Sequence, residues 1–207
     1  MRRAACFAAG LLLALAALLG AVTLAATRPQ TFERALLDTV DAPALGMTRE
    51  DLSAFALETM RYLRGEKAEW APLLPFAVPD AFAAHMAEVR GWVMGAPWVL
   101  LAGVAVSLGL LMLGGRRRRP CLWGLGAALG LLATLLLWAA VDFDSLWMLL
   151  HRAFIPGGIF PAGEPVMRLF PLSLFWHYIG PVCLWAAGCL AAACGLILGF
   201  TRKGRTA

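Results

Sequence analysis

Charge is what this sequence holds least of. Only 15% of its 207 residues are charged, against about a quarter in a typical soluble domain. In contrast 61% are hydrophobic, and they fall in long runs, which excludes an ordinary water-soluble fold. Cysteine is scarce where it would signify. Cys6, Cys183, Cys189 and Cys194 lie inside apolar runs, and Cys121 opens one. The odd total of five, with no metal-ligand spacing, argues against a disulfide framework or a structural metal site. These cysteines read as small apolar packing residues. A phosphate-binding glycine loop is missing, and Ser53, Ser145 and Ser173 lack the flanking motifs of a nucleophile. Internal repeats and low-complexity tails are missing too.

What is there in abundance is membrane-length apolar sequence. Four runs, 4–26, 92–113, 121–141 and 172–200, each reach the length of about 20 residues that a helix needs to cross a bilayer. The first follows Arg2-Arg3 and ends in small residues, as a signal peptide does. It exceeds the usual signal core of about 7–15 residues, and is read as an uncleaved span. Trp92, Trp98, Trp123, Trp138 and Trp176 sit near run ends, as an aromatic belt would. Pro97 and Pro181 are placed in the opening turns of their helices, where proline does least damage. The expectation is an all-α membrane protein, one integral membrane domain over 1–207 with four transmembrane helices. An extracytoplasmic helical segment, 27–91, would link helices 1 and 2, and an extracytoplasmic loop, 142–171, would link helices 3 and 4.

The net charge of +5 does not point to nucleic acid, because the basic residues sit in short blocks beside apolar runs. Arg2-Arg3, Arg116 to Arg119, and Arg202-Lys203 with Arg205 are orientation signals. Four spans with both termini in the cytoplasm satisfy all three blocks at once. The segment 27–91 then faces outward. It holds seven basic and ten acidic residues, a net of −3, opposite in sign to the cytoplasmic ends. Within it, Thr48 followed by Asp51 predicts a helix start of capping-box type. Leu52, Phe55, Ala56, Thr59 and Leu63 recur with helical spacing, and Gly65 ends the pattern. Pro72, Pro75 and Pro79 interrupt the chain, and Asp80 is a candidate N-cap for a helix running into the second span. The segment is too short and broken to bury a large core alone.

The three histidines, His85, His151 and His177, are all predicted near the outer interface. Phe82, His85, Met86 and Val89 share a helical face, with Glu88 one turn from the ring. A histidine on an apolar face is ordinarily a packed residue, and His151 alone would read as a polar cap on the third span. Two histidines on separate outer segments say more than either alone. They can form a base-and-acid pair near neutral pH, or two ligands of a metal site. The metal version lacks an obvious third ligand, with His177, Glu88, Met86 and Asp144 as loose candidates.

Two clusters also resemble a known family. His85-Met86-Ala87-Glu88-Val89-Arg90, just ahead of a span, is similar to an "HM-x-D-V-R/K" element. Asp142-Phe143-Asp144, His151 with Phe154, the stretch Glu164 to Pro171 ending Leu-Phe-Pro, and Phe175 follow the second outer loop of the same family. That family resembles the bacterial lipoprotein intramolecular transacylases. The four-span layout covers most of the chain and the motifs roughly fifty residues of it. Departures are Ile155 in place of a second phenylalanine, Phe160 in place of a tryptophan, and a shorter loop.

The resemblance implies an acyltransferase of the bacterial cytoplasmic membrane, with its active site at the outer face; no cofactor is expected, because ester-to-amide conversion is downhill, and no metal is assigned. Its partners would be diacylglyceryl-modified lipoproteins and membrane lipid. It would move the sn-2 acyl chain of the diacylglyceryl-cysteine to the α-amino group of that cysteine, giving a lyso-form lipoprotein. By the same resemblance His85 and His151 are catalytic. Glu88, Asp142 and Asp144 are candidates to orient an imidazole, Arg90 and Arg152 to hold the oxyanion, and Met86, Phe154, Phe160 and Glu164 to line the substrate groove. The rival readings are a non-catalytic accessory protein whose outer segment binds a partner, and a small transporter. The latter is weak because no span carries a charge near its centre.

Overall fold

The computed structural model describes residues 1–155, 158, 160, 161 and 163–201. The basic tail residues Arg202, Lys203 and Arg205 lie outside the described residues. The protein is all-α, with helices α1 (Arg2–Ala26), α2 (Pro29–Thr39), α3 (Arg49–Leu63), α4 (Asp80–Leu113), α5 (Arg118–Val141), α6 (Phe143–Phe154), α7 (Leu172–Trp176) and α8 (Ile179–Phe200). Short 3₁₀ turns occupy Pro43–Leu45 and Pro165–Leu169. Helices α1, α4, α5 and α8 are long and apolar enough to cross a membrane. The chain forms two compact units. One comprises Met1–Val22, Ala96–Asp142 and Cys183–Ala207, and the other Thr23–Gly95 and Phe143–Val182.

The first unit is a helix bundle with lipid-like apolar residues on its outside. Leu101, Val106, Leu131, Leu137 and Leu184 are exposed, as helices facing hydrocarbon require. Ala9, Leu13, Ala14, Leu111, Cys121, Leu125, Ala128, Ala193 and Ile197 form the interior. Small residues bring the backbones together, the usual solution where lipid removes the hydrophobic drive to pack. A Cβ added at Gly10 would strike the Cys121 carbonyl, and one added at Gly124 would strike the Phe7 carbonyl and stand 2.7 Å from the Leu11 nitrogen. Gly124→Val is therefore expected to destabilise this contact by about 1–3 kcal/mol through overpacking. The check is thermal unfolding in detergent, where the variant should melt several degrees below the parent.

The arginine block closes the same unit. Gly115 (φ 74°) and Arg116 (φ 59°) are both left-handed, a conformation that costs an L-residue about 1–2 kcal/mol. Arg116 is held there by donating Nε to the Phe200 carbonyl at 2.5 Å, with its guanidinium over the Phe200 ring at 5.9 Å. Arg118 donates Nη2 to the carbonyls of Leu198 (3.0 Å) and Thr201 (3.3 Å). The two arginines thus satisfy carbonyls at the C-terminus of α8 that no intrahelical amide reaches.

The second unit is built from both outer segments. Thr48 caps α3: its hydroxyl accepts from the Asp51 amide at 3.1 Å, and the Asp51 carboxylate accepts from the Thr48 amide at 2.8 Å. Gly65, at φ 80°, follows the helix end. Phe32, Leu36, Leu52, Phe55, Met60, Trp70 and Phe82 from the first segment bury against Val166 and Leu169 from the second and Leu174 of α7. The first segment therefore does not close its core alone. Phe170 stacks on Phe32 (6.1 Å, 25°) and meets Phe55 edge-on (5.9 Å, 72°), so the Leu-Phe-Pro element is a core wedge. Trp70 donates its indole to the buried Thr59 hydroxyl at 3.1 Å. Glu58 pairs with Arg61 (3.3 Å) and with Lys67 on the same unit's surface.

Three local expectations need correction. Asp80 is the first helical residue of α4, not its N-cap; the Pro79 carbonyl accepts from Phe82 (2.9 Å) and Ala83 (3.2 Å). Because α4 starts that early and runs for 34 residues, Pro97 lies in the helix interior. The fourth run does not form one helix from Leu172. The chain turns at His177 and Tyr178, and Ile179 opens α8 two residues before Pro181, whose missing N–H belongs in a first turn.

Candidate active site

His85 and His151 come together within the second unit, although sixty-five residues separate them in the chain. α4 carries His85 on the stretch ahead of the apolar run that begins at Trp92, and α6 carries His151 in its last turn. Their ring centroids are 6.2 Å apart at an interplanar angle of 34°. The surroundings are aromatic. Phe82 (5.8 Å) and Phe160 (5.6 Å) meet the His85 ring edge-on. Trp147, one turn before His151, packs on its ring at 4.3 Å and on Phe175 at 4.0 Å.

The two imidazoles are held differently. His151 Nδ1 lies 3.2 Å from the Trp147 carbonyl, which can only accept, so Nδ1 carries the proton and Nε2 is left with its lone pair. His85 Nδ1 is buried and has no hydrogen-bond partner among the described residues. Burial lowers the pKa of both rings below the ordinary histidine value. For His85 the neighbouring His151 charge lowers it further, while Glu88 opposes; for His151 the Trp147 hydrogen bond opposes. Both rings are therefore disposed to be neutral at pH 7, ready to accept protons. Since the unfolded chain binds these protons more readily, stability rises with pH through this range and is lost as pH falls below about 6.5. Replacing His151 with glutamine removes one charge that lowers the His85 pKa. The His85 titration followed by NMR should then move to higher pH.

The remaining candidates separate into near and distant groups. Phe160 lines His85, and Phe154 is exposed one turn after His151. Met86 is only 4% exposed and belongs to the apolar core, not to a groove surface. Glu88 and Arg152 are exposed on α4 and α6. Asp142 is the C-cap of α5, and Asp144 stands in the first turn of α6, where a carboxylate complements the helix N-terminus. The group bonded to His151 Nδ1 is thus a backbone carbonyl. Arg90 donates Nη1 to the Ala68 carbonyl at 2.9 Å and lies over the Tyr62 ring at 4.8 Å. Glu164 begins the 3₁₀ turn at Pro165–Leu169 without a side-chain cap. His177 stands apart, 3.8 Å from Asp38 and with Nδ1 3.1 Å from the Ser173 carbonyl. Among the described residues no three metal-ligating side chains gather.

Sequence reasoning did not single out Trp147 or Gly158. Trp147 was signalled by its place one helical turn before His151. Gly158 gave no signal of its own: its amide donates to the Ile155 carbonyl at 2.9 Å, and its Cα faces the His85 ring.

Four helices long and apolar enough to cross a membrane, with two imidazoles paired among aromatic rings on the connecting segments, define a multi-pass integral membrane protein. The family model described as lipoprotein intramolecular transacylase Lit matches residues 7–175, and the chain belongs to that family. The fold agrees. It is similar to the in meso structure of the membrane integral lipoprotein intramolecular transacylase Lit from Bacillus cereus, with TM-score 0.73 and 16% identity, covering 97% of this chain and 95% of that one. Two variants of the same Bacillus cereus protein, with one histidine replaced by arginine or by alanine, are similar at TM-score 0.71 and 17% identity, covering 97% of this chain and 92% and 93% of theirs. No curated protein sequence matches the chain.

Proposed function

We propose that this transacylase moves the sn-2 acyl chain of a diacylglyceryl-modified lipoprotein onto the α-amino group of the same N-terminal cysteine. The observation that carries the reading is the approach of His85 and His151, 6.2 Å between centroids, inside an aromatic enclosure. The amine nitrogen attacks the ester carbonyl, and the carbon–oxygen bond to glycerol breaks. The proton lost by the amine is matched by the proton gained by the glycerol oxygen. One imidazole takes the first proton and becomes an imidazolium, and the pair passes a proton on to the glycerol oxygen, so that both rings end neutral as they began; acid–base assistance of this kind ordinarily contributes about 10²- to 10⁴-fold. The imidazolium so formed offsets charge that develops on the oxyanion. Arg90, bonded to Ala68 and stacked on Tyr62, braces the scaffold.

Tethering explains why no cofactor is required. Donor and acceptor sit on one cysteine, and holding them face to face gives effective molarities that reach about 10⁵ M or more. Ester-to-amide conversion is downhill. The charge pattern supports placing both termini in the cytoplasm, with the histidine pair toward the outer face.

The test is expression in cells that lack other lipoprotein N-acylation, followed by mass spectrometry of N-terminal lipopeptides. The expected product carries one amide-linked chain and one glycerol-linked chain on the same cysteine. If the parent protein yields only the diacylglyceryl form, the proposed reaction is wrong.

A further inference from the structure

The two imidazoles are carried by different helices, and α4 makes a second contact with α6 that the acid–base reading does not use. Trp92 follows His85 by seven residues, two turns along the same face of α4. Its indole Nε1 donates to the backbone carbonyl of Phe154 at 3.1 Å. Its ring meets the Phe154 ring edge-on, 5.7 Å between centroids at 90°. Phe154 is the last residue of α6, so its carbonyl is among those a helix end leaves unsatisfied. His151 lies one turn earlier, and its own carbonyl accepts from the Ile155 amide at 2.7 Å, closing that turn. A tryptophan near the membrane interface ordinarily turns its N–H to water or headgroups. Here a half-exposed indole directs it to a helix terminus instead.

We infer that Trp92 is a positioning residue, which fixes the spacing and rotation of α6 on α4 and thereby the approach of His151 to His85. The inference rests on the two-histidine reading of the site. Two features of the contact make it suited to this. The hydrogen bond fixes the height of the end of α6 along α4, and the perpendicular ring pair resists rotation of α6 about its own axis. Both act on the turn that bears His151.

The test uses the full-length protein in detergent with a synthetic diacylglyceryl-cysteine peptide as substrate. Trp92→Phe removes the N–H and keeps a ring; Trp92→Leu removes both. The expected result is a fall in kcat of about 10-fold for the first and about 100-fold for the second, the scale of a small misplacement of reacting groups. KM should stay within about twofold and the melting temperature of folded protein should not change. A loss confined to folded yield or melting temperature, or kcat per folded enzyme within about twofold of the parent in both variants, would overturn it. A geometric readout separates this inference from the proposed reaction. In a His85→Cys/His151→Cys protein, cross-linking of the two positions by a short bifunctional thiol reagent, read by mass spectrometry of the linked peptides so that the five native cysteines do not interfere, should be fast, and adding Trp92→Leu should slow it at least about tenfold. Equal cross-linking rates would overturn the inference even if the parent makes lyso-form lipopeptide. A slowed rate would uphold the positioning role even if the parent does not.

Discussion

Alanine at either His85 or His151 is expected to cut lyso-form lipoprotein production by about 10²- to 10⁴-fold, the usual span for loss of a general acid or base. Neither ring is a keystone of the fold. Both are only part-buried, and His85 leaves one nitrogen unpartnered among the described residues. Truncation should therefore leave folded protein whose melting temperature is close to that of the parent. If the imidazoles work as a unit, the double variant should be little worse than the poorer single one, because removing one partner already breaks the proton path. Mass spectrometry of N-terminal lipopeptides reads all three proteins. Undiminished product from both single variants would sink the two-histidine mechanism and leave only the family's membrane fold.

The second large effect is expected from a residue with no side chain. A Cβ built on Gly158 would overlap the His85 ring, standing 2.7 Å from Nδ1 and closer still to Cε1. Real Cβ contacts do not persist at such distances, so either the ring or the backbone must give way. Gly158→Ala should therefore turn His85 away from His151 and lower turnover by about 10- to 100-fold. Gly163 is the control, because a Cβ there meets nothing within 4 Å. Gly163→Ala should retain parental activity within about twofold. Matching activity in the two variants would show that His85 does not need the bare backbone beside it.

Much of the architecture was legible because it is written in local patterns. The four spans are read from run length and flanking charge. α3 is read from Thr48, Asp51 and Gly65, each of which does in the structure what its chemistry predicts. The signal fails where an element's boundary depends on its continuation. Asp80 resembles a cap, but the preceding proline carbonyl takes that part, and the extension of α4 carries Pro97 into its interior. α2, Pro29–Thr39, has only three buried residues, Phe32, Ala35 and Leu36, and was not resolved as a separate helix by the spacing of the outer segment. The histidine pairing was visible only as two chemically apt residues on separate loops together with a family resemblance. Periodicity places His85 on a face but does not say which loop meets that face. Trp92, Trp147 and Gly158 escaped for the same reason. Their importance lies in what they touch across the chain, and Trp92 in sequence is indistinguishable from an interfacial belt residue.

The arginine hairpin between α4 and α5 has a consequence for how substitutions there would read out. Its charge and its shape serve separate ends. Lysine at positions 116 and 118 would preserve the positive sign that orients a nascent span. It would not preserve the planar fork with which Arg118 reaches two carbonyls, or the flat cation laid over Phe200. A swap that looks silent by topology would thus unmoor the last helix, so insertion and assembly of this protein are separable by changing the shape of two side chains at constant charge.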